Sequence, residues 1–80
     1  MPVRKPKSSP YRTRFGKNIA SMRAGGKLTQ ELLAEKIGTS VRYVQSLEAG
    51  EYFPSLPTLV RLKVTLRCDW NELFDGCDDL

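Results

Sequence analysis

A chain of 80 residues with 40% hydrophobic content, a formal net charge of +4 and no histidine is one domain with a small core. Cys68 and Cys77 fall short of a tetrahedral zinc site; a disulfide between them would close only a short loop, and both are expected as free thiols in a reducing cytoplasm. No apolar run approaches ~20 residues, which excludes a spanning helix, and no apolar stretch follows the basic N-terminus to make it a signal peptide.

Residues 1–10, MPVRKPKSSP, combine three prolines and three basic residues with almost nothing apolar. Such a stretch cannot bury enough surface to fold and is expected to be a disordered basic arm. From Tyr11 the pattern turns helical. Phe15, Ile19 and Met22 share one face of a first helix ending near Ala24, where Gly25 or Gly26 is expected to take the left-handed cap conformation. Thr29 is placed to cap a second helix that buries Leu33, Ala34 and Ile37 and stops at Gly38. Ser40 caps a third helix, with Val44 and Leu47 inward and Gly50 at its end. Ser55 caps a fourth, with Pro57 tolerated in its first turn and Leu56, Leu59, Leu62 and Leu66 at spacings of three and four. Asp69 and Glu72 form a capping-box pattern that opens a fifth, whose Trp70, Leu73 and Phe74 are expected to close the core. Five helices and no strand signal predict an all-α fold.

Charge is distributed unevenly. Eight of the 13 basic residues, and no acid, fall within residues 1–30, whereas Asp69, Glu72, Asp75, Asp78 and Asp79 crowd the C-terminus. A strongly positive half points to a polyanion, with nucleic acid the first candidate. The very short GTS connection between the second and third helices predicts a helix-turn-helix. At ~100° per residue, the third helix turns Arg42, Gln45, Ser46 and Ala49 away from its buried side, with Val41 and Tyr43 at the edges. That polar rod suits a groove ~12 Å wide. Catalysis is not expected, because histidine is lacking, the acids sit in caps or in the tail, and no glycine-rich phosphate loop follows a strand. No metal or cofactor is expected.

From Phe15 to Phe74 the chain resembles the Cro/C1-type (XRE) helix-turn-helix family of phage repressors and bacterial regulators. The pieces FGKNIASMR, LTQELLAEKIGTS, VQSLEAGEYFPSLPTL and WNELF carry the resemblance in order. It implies a five-helix, lambda-repressor-like domain over residues 11–75, with the helix-turn-helix at about 29–49, the arm before it and an acidic tail at 76–80. It further implies base contacts from Val41, Arg42, Tyr43 and Ser46. Arg42 is the expected reader of guanine, a contact worth ~1–3 kcal/mol of discrimination. Phosphate contacts are implied for Thr29, Gln30, Ser40, Lys27 and Tyr52, where helix N-termini also favour anions. Arg4, Lys5, Lys7, Arg12 and Arg14 of the arm would lie along phosphates or in a minor groove. Arg23 and Glu48 match a paired arginine and glutamate that fix the third helix.

Several positions depart from the family pattern. Lys27 stands where a glycine is usual, Leu32 removes a capping box, Glu51 stands where Lys or Arg is frequent, and Val64 is left on an outer face that could mark a dimer contact. The implied function is a cytoplasmic, bacterial or phage DNA-binding transcription regulator. It is expected to be a repressor acting as a homodimer on a pseudo-palindromic operator in double-stranded DNA. The alternative is an antitoxin or other protein-interaction module that binds a partner protein through its acidic end.

Overall fold

The structure is a computed structural model, and it describes residues 10–78. Five helices follow one another: α1 Pro10–Gly25, α2 Gln30–Ile37, α3 Val41–Glu48, α4 Leu56–Leu66 and α5 Trp70–Leu73. No strand occurs among the described residues, so the all-α, five-helix expectation holds. Arg4, Lys5 and Lys7 lie outside the described residues. Helix α1 takes in Pro10, which had been assigned to the arm. Of the expected tail, Cys77 folds back, its N–H donating to Phe74 O at 2.9 Å.

The caps form where side-chain chemistry places them. Thr29 Oγ1 accepts from Leu32 N at 3.0 Å and Ser40 Oγ from Tyr43 N at 3.1 Å, each satisfying an orphan donor of a first turn. At α5 the capping box is complete: Glu72 N donates to Asp69 Oδ1 and Asp69 N to Glu72 Oε1. Ser55 occupies the cap position of α4, yet its hydroxyl pairs with Thr58 Oγ1 at 3.3 Å instead of a backbone N–H. The end of α1 departs from expectation. Neither Gly25 nor Gly26 has positive φ; Lys27 does, at 61°. The lysine itself supplies the left-handed residue after the helix, its N–H donating to Ala24 O at 2.9 Å.

The core joins Phe15 and Ile19 of α1, Leu33, Ala34 and Ile37 of α2, Val44 and Leu47 of α3, Leu59 and Leu62 of α4, and Leu73. Trp70, expected in the core, lies outside it, and so does Leu56 of the α4 apolar spacing. Trp70 is 40% exposed, because the inward position of the short α5 belongs to Leu73. Its ring stacks on Phe74 at 5.8 Å and lies under the Lys63 ammonium at 5.4 Å. Leu56, the first residue of α4, is 68% exposed, so the buried stripe of that helix starts one turn later at Leu59. Phe53 adds what the helical pattern did not suggest. It reaches back from the α3–α4 loop to Phe15 at 4.8 Å, Tyr11 at 5.6 Å and Phe74 at 6.4 Å, closing an aromatic cluster.

Both cysteines are free. Burial pushes both thiols up from their ordinary 9.0, with Glu72 adding to the effect at Cys68 and Arg14 opposing it at Cys77. This is the reverse of what an activated thiolate needs.

Candidate nucleic-acid interface

Helix α3 packs on both α2 and α1, and one ion pair ties it to α1. Arg23 Nε donates to Glu48 Oε2 at 2.6 Å and Arg23 Nη2 to Glu48 Oε1 at 3.1 Å, joining α1 to the last turn of α3. The side chains are 18% and 8% exposed, so the pair is shielded from water and salt. The hydrogen bond to Glu48 raises the arginine's pKa, with burial partly opposing it. Arg23 Nη1 also donates to Leu28 O at 2.9 Å, which ties the α1–α2 turn into the same knot. The structural pairing expected of Arg23 and Glu48 is therefore present.

Glu48 accepts a further hydrogen bond, from Gln30 Nε2 at 2.9 Å, and Gln30 Oε1 in turn accepts from Gln45 Nε2 at 3.5 Å. Gln30, expected to grip phosphate, engages one N–H and its carbonyl within the fold, which joins the start of α2 to the outer face of α3 and leaves one N–H over. Helical spacing alone could not indicate this link, because it depends on how two helices cross.

The expected readers are presented unequally. Arg42 is exposed on the outer face, with Gln45 one turn further along. Ser46 is half-buried, and Val41 packs partly against the core. Tyr43 is more constrained. Its ring stacks on Tyr52 at 5.6 Å with an interplanar angle of 19°. Burial raises its phenol above the ordinary 10.0 despite a hydrogen bond with Thr58, so it stays neutral. Thr29, Ser40, Lys27 and Tyr52 are exposed. The hydroxyls of Thr29 and Ser40 accept the cap bonds and keep their own hydrogens for an outside acceptor.

Two residues assigned to the arm belong to α1. Arg12 is half-buried in its first turn. Arg14 Nη2 pairs with Asp75 Oδ2 at 3.2 Å, and its Nε donates to Asp75 O at the same distance. Beside it, Asn18 Nδ2 donates to Leu73 O at 3.0 Å and Asp75 O at 2.9 Å. These contacts anchor the C-terminal turn on α1, and they commit Arg14 to a structural partner that its place in a basic run did not reveal.

Residues 19–73 match the family model described as Helix-turn-helix (HTH_3). The ImmF control region 10 kDa protein of Bacillus phage phi105 is 33% identical over 60 residues, which is 75% of this chain and 67% of the relative. The crystal structure of the restriction-modification controller protein C.AhdI from Aeromonas hydrophila is 32% identical, with a TM-score of 0.72 over 78% of this chain and 94% of that one. The clp gene regulator ClgR from C. glutamicum superposes with a TM-score of 0.77 at 25% identity, covering 91% and 90% of the two chains. The tight α2–turn–α3 unit, the order of the five helices and the match across both place this chain in the helix-turn-helix family of Cro/C1 (XRE) type.

Proposed function

We propose that the protein is a sequence-specific DNA-binding transcription regulator that lays α3 in the major groove and represses by occupying a promoter. The observation that supports this reading best is the presentation of Arg42. It stands exposed on the outer face of a helix whose opposite face is locked to α1 by the shielded Arg23–Glu48 pair. A rigid rod with an exposed, bidentate tip suits the reading of guanine. Val41 and Ser46 accompany it, and Tyr43 stays near Tyr52 as a neutral neighbour of the backbone. Lys27, Thr29, Ser40 and Tyr52 supply donors to phosphate beside the N-termini of α2 and α3. Arg4, Lys5, Lys7 and Arg12 add positive charge on the N-terminal side. The protein acts without catalysis, in the cytoplasm of a bacterial or phage-infected cell.

The operator would be a pseudo-palindrome bound by two copies, with half-sites ~34 Å apart. Val64 is 68% exposed and continues a stripe with Leu56 and Val60 along the outer side of α4. We assign this stripe to the second copy. A foreign partner protein is the competing occupant, and sedimentation of the chain alone separates them: the dimer reading requires self-association.

Fluorescence titration of selected duplexes at two salt concentrations tests DNA reading directly. Affinity is expected to fall steeply with salt, and Arg42→Ala to lose about tenfold or more on the selected site. Binding indifferent to both changes would end the proposal.

A further inference from the structure

We infer that Gln45 is a base-reading residue, oriented for adenine by a hydrogen-bond relay running from Arg23 through Glu48 and Gln30. The inference rests on the DNA-binding reading above and adds a specificity determinant to it. It also gives Gln30 the part of a positioning residue.

The direction of the relay follows from which groups can only accept. The Glu48 carboxylate is held by two arginine donors at 2.6 and 3.1 Å, and an ionised carboxylate has no hydrogen to give. The part of the Gln30 amide that meets Glu48 Oε1 at 2.9 Å is therefore its NH2 group. An amide anchored this way turns its carbonyl oxygen toward α3, and a carbonyl again can only accept. The group facing it is Gln45 Nε2, at the long distance of 3.5 Å. Of the two amide orientations open to an exposed glutamine, the relay selects the one that points its NH2 at Gln30. Gln45 keeps a carbonyl oxygen and a second N–H for an outside partner.

One donor beside one acceptor matches the major-groove edge of adenine, whose N7 accepts and whose N6 amino group donates. An unanchored glutamine could flip to suit other edges; here flipping would set carbonyl against carbonyl. The position suits the task. Gln45 is exposed three residues after Arg42 on the outer side of α3, about 4.5 Å further along the helix. With a base step of ~3.4 Å, the two residues fall within one or two base pairs of each other.

The test is selection of binding sites from a random duplex pool with the full chain and its variants. The wild type should select an A·T pair within two positions of the G·C pair that Arg42→Ala relaxes. Gln45→Ala should flatten that A·T column alone. It should bind the wild-type site about tenfold more weakly, yet match the wild type on a duplex with that pair replaced. Gln45→Glu keeps only acceptors and should turn the preference toward C·G. Gln30→Ala should flatten the same column partway and leave the Arg42 column sharp, which a purely structural role for Gln30 would not do. A motif unchanged by Gln45→Ala, or weakened equally at every position, overturns the assignment while leaving DNA reading intact. A wild-type chain that selects no motif overturns both.

Discussion

Gly16 lets α1 lie against the last turn of α3, because a Cβ there would fall 2.5 Å from Glu48 O and 2.6 Å from Leu47 O. Helix propensity alone favours alanine at such a site by ~1 kcal/mol. The clash is with backbone, which cannot swing aside, so overpacking wins. Gly16→Ala is expected to lower the free energy of unfolding in urea by about 2 kcal/mol; a stabilised variant would contradict the close approach. The two thiols and Tyr43 make a second residue-scale prediction. All three have folded-state pKa values raised by burial. Each therefore contributes stability that is present below its unfolded pKa and lost as pH rises toward the folded one. Unfolding midpoints should be unaffected by these groups at neutral pH and should fall above pH about 9, where the thiols of the unfolded chain ionise. Cys68→Ala should remove part of that alkaline slope.

Caps decide the elements, and most of them were legible. Thr29, Ser40 and Asp69 each stand before an apolar period and bond the first turn as expected. Ser55 shows the limit, since its hydroxyl finds Thr58 first. The α1–α2 turn was read less well. A GG pair suggests a glycine in the left-handed conformation, yet the strained residue is Lys27, because the chain must extend that far before Leu28 N can donate to Arg23 O. A non-glycine residue in that conformation costs ~1–2 kcal/mol, partly offset by the greater chain entropy that glycine loses on folding. Lys27→Gly is expected to raise stability by about 0.5–1 kcal/mol in thermal unfolding. It should also reduce the slope of log affinity against log salt by about one, because the proposed phosphate contact is removed.

On the scale of the molecule, positive charge divides into what faces a ligand and what holds the fold. Arg14 sits in the basic N-terminal third yet pairs with Asp75 across the chain, with both side chains well exposed. Such a pair contributes ~0.2–1 kcal/mol. Arg14→Ala is expected to lower stability by that amount and to leave the salt slope of DNA binding unchanged, unlike Lys27→Gly. An equal loss of slope in both variants would return Arg14 to the phosphate-binding set.

The five helices, their order and the outward face of α3 were written in the sequence, because periodicity, caps and glycines are local signals that each act within a few residues. The family could be read from ordered motifs for the same reason. What only the tertiary structure decided depends on how the helices cross. It turned Trp70 and Leu56 outward, drew Phe53 into the aromatic cluster, and gave Arg14 to Asp75. It also joined Gln45 to Gln30, and Gln30 to a carboxylate fixed by Arg23. Those contacts link residues far apart along the chain, and no spacing rule reaches across a helix crossing whose angle is settled by the packing of the whole core.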